Sequence, residues 1–456
     1  MLAQAARYFF NDIPFGPTVF HDIEANVIKS REMTRLCEIK QLSTVYLFYP
    51  SATHTRYQHC CGVASLVKLY LESLPLADIS AIDMEDRTAL VLAGLLHDVG
   101  HSAWSHVGEE FSKFHGNEIK HERISHDLVI GKTDYDGYFS SWEKLQPVRK
   151  IIRSEGLRRK VANLVMGKPP IAYHVSPQEE AKQASEKAWM GKLIHGDLDF
   201  DRADYLRRDS FFTLGLSVIS DPVTIARNTL VYKTLQQNEL VFSNAVFAEG
   251  FILAIELMYP AIYVEPVNYI TEEVLQRAFL SIYPKGSDIY EFWFSTDEQV
   301  IEKLRSVGNT DVIVQRALES IKCRRFYDLA AVIPFSEIKD KSLQDRLFEI
   351  GQDKTKLLRF EETLLDRATS KGMSLMRGDV VVGVYAKKSP AGGSANVLGN
   401  RGNVTTLNLE SHLLDQLSTR SYLSSRSKLI VGTYPVLSKK SKQKLERLAI
   451  ESIEIV

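Results

Sequence analysis

The pattern of apolar positions along the chain predicts a mainly helical protein. Residues 56–74 carry apolar side chains at helical spacing, and residues 89–96 are apolar nearly throughout. A helix that is apolar on every side lies at the centre of a fold. Asp83 and Asp86 precede that segment, where carboxylates accept the unpaired N–H groups of a helix N-terminus. The sequence therefore predicts a central helix followed by further helices.

The last hundred residues change character. Residues 380–385 and 429–434 are short and rich in β-branched side chains, which is typical of strands. The segment between them is rich in Gly, Ser and Asn and predicts a flexible loop near residues 389–403. We therefore predict a mainly α fold with a helical core over residues 1–290 and a smaller α+β region over residues 291–456.

Composition places the chain among soluble globular proteins. It has 456 residues, 45% hydrophobic and 25% charged, and a net charge of −1. That balance gives no overall attraction to nucleic acid or to an anionic membrane, so any phosphate recognition has to be local. The basic run 439–444 is interpreted as a solvated helix start. We predict neither a nucleic-acid partner nor a membrane partner.

Targeting signals and cysteines favour the cytoplasm. The N-terminus shows no long apolar stretch of the signal-peptide type, and no uninterrupted apolar run reaches the length of a membrane span. The four cysteines, Cys37, Cys60, Cys61 and Cys323, have no CxxC spacing. They are interpreted as reduced thiols, so we predict a cytoplasmic protein.

A histidine-rich segment suggests one chemical site near the front of the chain. Residues 97–106, His-Asp-Val-Gly-His-Ser-Ala-Trp-Ser-His, directly follow the apolar segment, and eight of the 12 histidines fall between His54 and His126. A buried imidazole beside a buried carboxylate is costly unless each has a partner, and a metal ion is a common partner.

The candidate metal ligands come from three places: His59, the pair His97-Asp98, and an aspartate of the segment 197–201. Two imidazoles and two carboxylates suit one divalent transition metal and leave positions for water and substrate. The alternative is that His97 is a core histidine satisfied by hydrogen bonds; the density of the cluster favours the metal. Mn, Fe, Ni, Zn and Mg remain open, although two imidazoles are less natural for Mg.

Three sequence blocks resemble a known family. Residues 39–59, 96–106 and 201–210 occur in the order found in the HD-domain phosphohydrolases, and they are similar to the deoxynucleoside triphosphate triphosphohydrolase branch. The blocks contain the pattern H…HD…D as His59, His97-Asp98 and Asp201. The resemblance implies a nearly all-α fold built around the metal site.

The resemblance also implies roles for individual residues. The metal ligands would be His59, His97, Asp98 and Asp201. The catalytic residues, which donate or accept protons on the phosphate side, would be His101, His106 and His121, with Glu109 orienting one of them. The substrate-binding residues would be Arg56 and Arg202 for phosphate, and Gln41, Leu42, Tyr205, Asp209 and Tyr263 for the sugar.

Several of these residues have an ordinary structural alternative. Arg56 can form a salt bridge with a carboxylate, although a fork of donors beside a metal suits phosphate. His121 lies in a charged stretch that can be a solvated helix face. Tyr263 lies among apolar residues and is by default a core residue.

The resemblance predicts metal-dependent hydrolysis of a nucleotide, from a deoxynucleoside triphosphate to a deoxynucleoside and triphosphate, by a chain that forms homo-oligomers. One alternative is an HD hydrolase of another phosphoester, such as a monophosphate, a cyclic nucleotide or a modified nucleotide. Glu256 and Glu265 favour it if they face the pocket, because carboxylates there would repel a triphosphate. The other alternative is a regulatory or binding protein that retains the site.

Overall fold

The computed structural model describes residues 6–74, 82–116, 118–171, 175–219, 221–308, 311–387, 392–399, 402–434 and 436–456. The chain is mainly helical, with its strands in three small sheets, and this confirms the predicted fold class. The helices of the first half are α1 Asp22–Val27, α2 Arg31–Arg35, α3 Arg56–Ser73, α4 Met84–Leu96, α5 His106–Ser112, α6 His121–Ile130, α7 Val148–Ile151, α8 Glu155–Val165, α9 Pro177–Ile194 and α10 Phe200–Leu214.

The second half is also mostly helical. Its helices are α11 Pro222–Asn228, α12 Ala245–Met258, α13 Pro266–Ile282, α14 Ile289–Phe294, α15 Asp297–Val307, α16 Val312–Cys323, α17 Lys341–Gln352, α18 Lys354–Ser370, α19 Leu407–Glu410, α20 His412–Leu417, α21 Arg420–Arg426 and α22 Lys439–Ser452. Short 3-10 helices occupy Leu36–Glu38, Ser43–Leu47, Lys113–His115, Asp136–Trp142 and Phe335–Glu337, and a π-helical turn extends α12 over Tyr259–Tyr263.

The strands are β1 Arg7–Asp12, β2 Gly16–His21, β3 Thr229–Lys233, β4 Asn238–Phe242, β5 Asp328–Pro334, β6 Val380–Tyr385, β7 Asn396–Leu398, β8 Val404–Thr406 and β9 Lys428–Thr433. The first two form a hairpin, and the others form two sheets with the orders β3-β4-β7-β8 and β5-β9-β6.

Helices α3 and α4 cross at the centre of the helical core. A Cβ atom on Gly94 of α4 would lie 2.9 Å from the Cα atom of Ala64 on α3, so only glycine allows this close approach. As predicted, Asp83 caps α4: its carboxylate accepts from the backbone N–H of Asp86 at 2.7 Å. This crossing holds the C-terminal end of α4, where His97 follows, against the first turns of α3.

The sheet β5-β9-β6 is buried on both faces. Val380, Val382 and Val384 point to one face, where α17, α18 and α22 pack, while Val381 and Ile430 point to the other, where α13 packs. Strands covered on both sides are apolar at successive positions, which explains why both strands were visible in the sequence. Helix α13 thus contacts the C-terminal sheet directly; the predicted domain boundary at residue 290 stays a prediction.

The predicted loop near residues 389–403 is partly ordered into strands. Residues 388–391, 400 and 401 lie outside the described part of the chain. Of the remainder, Asn396–Leu398 forms β7, in which the buried Val397 pairs with Phe242 of β4. A three-residue strand flanked by glycines carries too little alternation to be recognised in the sequence, and the predicted flexibility of the loop stays a prediction.

Within the part of the chain that the structure describes, one segment, Ala245–Tyr263, is long and apolar enough to cross a membrane by length and composition alone, with 44% of its apolar window buried within the protein. The core helix of a soluble protein passes the same test, so this helix alone does not indicate a membrane.

Candidate metal centre and substrate cavity

The four residues predicted as metal ligands lie close together. His59 lies on α3, His97 and Asp98 directly follow α4, and Asp201 lies in the first turn of α10. The Nε2 atom of His59 lies 3.0 Å from Asp201 Oδ1 and 3.7 Å from Asp98 Oδ2. The Nε2 atom of His97 lies 3.6 Å from Asp98 Oδ1 and 3.7 Å from Asp201 Oδ1.

These separations are equal to, or a few tenths of an ångström longer than, the spacing of ligand atoms around a shared ion. A metal–ligand distance of about 2.1 Å places neighbouring ligand atoms roughly 3.0 to 3.4 Å apart in octahedral or tetrahedral geometry. The two Nε2 atoms of His59 and His97 are 3.1 Å apart. Among the described residues, His59, His97 and Asp201 form one of the groups whose ligand atoms can hold an ion.

The hydrogen bonds at Nδ1 of His59 and His97 favour the tautomer of each ring that can bind a metal through Nε2. His59 Nδ1 lies 2.7 Å from a carboxylate oxygen of Asp204, and His97 Nδ1 lies 2.9 Å from the carbonyl oxygen of Gly94. Both Nδ1 atoms therefore act as donors, and in a neutral ring the lone pair is then on Nε2. Two such lone pairs and two carboxylates directed at one point repel each other unless a cation lies between them, so the donor set fits a divalent ion.

A buried ion-pair chain supports His59 from behind. Asp204 accepts from both His59 and Arg208, at 2.7 and 2.9 Å, and Arg208 donates to Asp12 at 2.6 and 2.9 Å. All four side chains are buried. Sequence reasoning missed Asp204, Arg208 and Asp12; the spacing of Asp201, Asp204 and Arg208 along one helix face was the available signal.

A second cluster lies beside the predicted ligands and centres on Glu109. Its carboxylate contacts His121 Nδ1 at 2.5 Å and His106 Nδ1 at 2.9 Å, while His121 Nε2 lies 3.3 Å from Asp98 Oδ1. Burial lowers the pKa of His121, but Glu109 outweighs that effect and raises it to about 9. Burial raises the pKa of Glu109, but the two histidines hold it well below its usual value. Glu109 thus orients both imidazoles.

The structure places His101 differently from the other two histidines. Its ring stacks on that of His121 with centroids 4.0 Å apart, and it is fully buried behind it. Neither ring nitrogen of His101 has a hydrogen-bond partner within the described chain. Burial and the nearby Arg56 lower its pKa well below the usual value. His101 does not line the cavity, in contrast to the predicted position on the phosphate side, because the turn after α4 directs it inward.

The two arginines predicted to bind phosphate each hold a carboxylate. Arg56 bonds to Asp98 and donates from Nε to Ser105 Oγ at 2.9 Å, while its Nη2 is buried with no partner among the residues described. Arg202 donates to Asp199 at 2.8 Å. Ser105 has a φ of 54°, uncommon for a residue other than glycine. Arg56 therefore forms the salt bridge of the structural alternative, and it also keeps one guanidinium nitrogen, Nη2, without a partner among the described residues.

The predicted sugar-binding residues line the same cavity as the candidate ligands. The cavity has a volume of about 620 Å³, and its wall includes Gln41, Leu42, Tyr205, Asp209 and Tyr263. The Tyr263 hydroxyl donates to Asp209 Oδ2 at 2.7 Å, and His54 Nε2 contacts Asp209 Oδ1 at 2.8 Å. Tyr263 therefore faces the cavity and is not simply a core residue. His54 supports Asp209 from behind and was not predicted.

Glu256 and Glu265, which would favour a substrate other than a triphosphate if they faced the cavity, do not line it. Glu256 pairs with Lys387 and accepts from the Tyr422 hydroxyl. Glu265 caps α13 by accepting from the backbone N–H of Asn268 at 2.9 Å. Because both carboxylates are turned away, they do not repel an anionic substrate from within the cavity.

Comparisons with known proteins give the family. Residues 56–209 match the HD domain, and residues 228–455 match the HD associated region. The chain belongs to this family, which confirms the predicted membership of the HD-domain phosphohydrolases and supports hydrolase activity. HD domains bind divalent metals, in agreement with the His and Asp groups described above.

The relatives are distant. An uncharacterized protein of Mycoplasma pneumoniae is 29% identical over 281 residues, 60% of this chain and 60% of that protein. A deoxynucleoside triphosphate triphosphohydrolase SAMHD1 homolog of Dictyostelium discoideum is 24% identical over 222 residues, 46% of this chain and 37% of that protein. The chain thus spans less than two thirds of the length of these relatives.

A solved phosphohydrolase from Bacteroides thetaiotaomicron superposes with a TM-score of 0.67 at 20% identity, covering 94% of this chain and 99% of that one. At this identity the similarity shows the fold.

Proposed function

We propose that this protein is a metal-dependent nucleotide phosphohydrolase that converts a deoxynucleoside triphosphate to a deoxynucleoside and triphosphate. The observation that carries the proposal is the grouping of His59, His97, Asp98 and Asp201, of which the last three line a cavity of about 620 Å³. Cavities of about 300–1,000 Å³ are typical of small-molecule sites. The Gln41 and Tyr205 side chains on the same wall provide polar partners for a sugar.

The four ligands would hold one divalent ion. When bound, such an ion polarises a phosphate oxygen and activates water for attack. Two imidazoles beside two carboxylates favour Mn, Fe, Ni or Zn over Mg. Asp204 and the Gly94 carbonyl keep both rings oriented, so little reorganisation is needed for the ligands to bind.

The remaining groups perform the proton transfer and the charge stabilisation. Water attacks the α-phosphorus, the bond from that phosphorus to the 5′ oxygen of the sugar breaks, and the water loses a proton while the 5′ oxygen gains one. Glu109 holds His121 Nδ1 and raises the pKa of the ring to about 9, so the imidazole is protonated at neutral pH and its Nε2 carries the proton that the leaving oxygen receives. The unpartnered Nη2 of Arg56 is available to a phosphate oxygen, where it offsets negative charge in the transition state.

Three observations support a triphosphate as substrate. Curated relatives include proteins named deoxynucleoside triphosphate triphosphohydrolases. Glu256 and Glu265 do not line the cavity, so these two carboxylates do not repel a triphosphate there. Arg56, Arg202 and Lys113 are cationic wall residues that can attract phosphates.

We also propose that the protein forms homo-oligomers in the cytoplasm. Val246, Leu253 and Leu257 are exposed large apolar residues on one helix, α12, and an exposed apolar face favours self-association. Light scattering coupled to gel filtration tests this proposal, since Leu253→Lys should shift an oligomer toward the monomer. A wild-type chain that is monomeric at micromolar concentration would overturn it.

Product analysis tests the reaction. The purified chain is incubated with each deoxynucleoside triphosphate and with Mn, and phosphorus NMR and chromatography identify the products. We expect triphosphate and deoxynucleoside, with activity lost in His97→Ala and retained in His126→Gln, which alters a histidine whose Nδ1 lies 3.0 Å from the neighbouring Asp127. Release of orthophosphate or pyrophosphate instead would indicate cleavage of a phosphoanhydride bond rather than the 5′ ester bond. No turnover with metal-loaded protein would favour the binding-protein alternative.

A further inference from the structure

Two consecutive residues beside the cavity have a strained backbone. Trp104 and Ser105 have φ values of 59° and 54°, and neither is a glycine. With a ψ of −130°, Ser105 adopts a combination that glycine usually supplies. Such residues persist only where the surrounding structure holds them, and they cluster at functional sites. Because the pair leads directly into His106, the contacts that hold it bear on the phosphate side of the cavity.

A distant segment of the chain holds the loop that contains this pair. Trp293 donates from Nε1 to the Gly100 carbonyl at 2.7 Å, and its own carbonyl accepts from the Ala103 N–H at 3.1 Å. Asp297 Oδ1 accepts from the Trp104 N–H at 2.7 Å, across a separation of 193 residues. The loop is therefore bound at three points, and the strained Trp104 is one of them.

The Asp297 carboxylate also holds a second segment. Its Oδ2 accepts from the Lys40 N–H at 2.9 Å, and Lys40 directly precedes Gln41 on the predicted sugar side. Burial raises the pKa of Asp297, and Lys40, the two N–H donors and Arg35 counteract that effect. Asp297 is 2% exposed and receives one backbone N–H at each oxygen, so it fixes the two segments relative to each other.

The Ser105 hydroxyl connects these two segments to Arg56. It donates to the Lys40 carbonyl at 2.7 Å and accepts from Arg56 Nε at 2.9 Å, while Arg56 Nη1 bonds to Asp98. A guanidinium is planar and rigid, so bonds at Nε and Nη1 together determine the direction of Nη2. This Nη2 is the atom that has no partner among the described residues. Without the Ser105 contact, Arg56 would be held at one nitrogen only and could turn.

We propose that Asp297 is a positioning residue for the reaction: by holding Lys40 and Trp104 it places the Ser105 hydroxyl, which directs Arg56 Nη2 at a phosphate oxygen of the substrate. The inference rests on the proposed function, in which Arg56 offsets negative charge in the transition state. Asp297 does not line the cavity, so it acts through these contacts alone. The second half of the chain thereby controls a phosphate-binding group of the first half.

Two variants break the link at different points. Asp297→Asn keeps the shape of the side chain but leaves one of the two N–H groups without an acceptor. Ser105→Ala removes the hydroxyl that holds Arg56 Nε. Asp311→Asn is the matched control, because Asp311 caps α16 by accepting from the Ile313 N–H at 2.8 Å and does not line the cavity. Circular dichroism shows whether each variant is folded.

Steady-state kinetics with the full chain test the inference. We expect kcat/KM to fall by about 10–100-fold in Asp297→Asn and in Ser105→Ala, with most of the loss in kcat, and to stay at the wild-type value in Asp311→Asn. Metal content should stay close to one ion per chain, because none of the four predicted ligands is altered. If both residues act through one link, the double variant should be at most about twofold slower than the slower single variant.

A purely structural Asp297 gives different results. The effects of the two substitutions would then multiply in the double variant, or the loss in Asp297→Asn would follow a loss of folded protein and of bound metal. Either result overturns the inference, as does a folded Asp297→Asn with wild-type kcat. Wild-type kcat in Ser105→Ala overturns it as well, even if Asp297→Asn does not fold.

Triphosphate binding separates this inference from the proposed reaction. Calorimetry with inorganic triphosphate and Mn-loaded protein requires no hydrolysis. Binding that weakens several-fold in Asp297→Asn and in Ser105→Ala, and not in Asp311→Asn, supports the inference even if no deoxynucleoside triphosphate is hydrolysed. Hydrolysis with wild-type kcat and wild-type triphosphate affinity in both variants supports the proposed function and refutes the role of Asp297. A wild type that neither hydrolyses the nucleotides nor binds triphosphate refutes both.

Discussion

Replacing Glu272 by glutamine should make the folded protein less sensitive to alkaline pH. Glu272 lies on the buried side of α13 between Thr44 and Asn268. Burial raises its pKa from 4.5 to about 8, and the hydrogen bonds from Thr44 and Asn268 offset only part of that effect. The side chain is therefore neutral in the folded protein at a pH where the unfolded chain carries a carboxylate.

The sign of the effect follows from proton linkage. Because the folded state holds this proton more tightly than the unfolded state, its contribution to stability is complete below pH 4.5 and is lost as the pH rises to about 8. Each unit of pKa difference corresponds to about 1.4 kcal/mol, so between roughly pH 6 and pH 8 the free energy of unfolding should fall by about 2 kcal/mol through this group alone. Glutamine does not titrate, so Glu272→Gln removes this dependence of the free energy of unfolding on pH.

Urea unfolding followed by far-ultraviolet circular dichroism measures the effect. The midpoints of wild type, Glu272→Gln and the exposed control Glu446→Gln are compared at several pH values between roughly 6 and 8. We expect the wild type and the control to lose stability in parallel, and Glu272→Gln to lose clearly less. Parallel curves for all three proteins would show that Glu272 is ionised in the folded state and that the reasoning is wrong.

Three further predictions address the metal site and its support. Asp204→Asn should weaken metal affinity by about 10–100-fold, because His59 Nδ1 loses its carboxylate partner; calorimetric metal titration checks this, and an unchanged affinity counts against the supporting role. His121→Ala should lower kcat by about 10²–10⁴-fold with a smaller change in KM, which steady-state kinetics can measure; a change confined to KM contradicts proton donation. Gly94→Ala should destabilise the protein by about 1–3 kcal/mol, since a Cβ would lie 2.9 Å from Ala64 Cα; an unaltered thermal midpoint refutes the tight crossing of α3 and α4.

The sequence predicted those features of the fold and of the site that follow from a local pattern of residue types and their spacing. The apolar segment before His97 and the β-branched segments near residues 380 and 430 correspond to α4, β6 and β9. The three sequence blocks that resemble the HD-domain family predicted His59, His97, Asp98 and Asp201 as metal ligands. These residues come together although they belong to three separate helical segments.

The sequence did not show how deeply a side chain is buried or in which direction it points. His101, His106 and His121 are equivalent by residue type, yet the first is fully buried while the His106 side chain is 69% exposed. Glu256 and Glu265 were ambiguous because only the tertiary fold determines which way a carboxylate points. Asp12 supports Arg208 across a separation of 196 residues, and no local pattern signals such a contact.

Metal content tests the central claim most directly, namely that His59, His97, Asp98 and Asp201 bind one divalent ion. Wild type and Asp201→Ala are loaded with Mn, dialysed and analysed by elemental mass spectrometry. Circular dichroism shows whether both proteins are folded. We predict close to one ion per wild-type chain and almost none in the folded Asp201→Ala variant. Equal metal content in the two proteins, or none in the wild type with any of the candidate metals, would contradict the account.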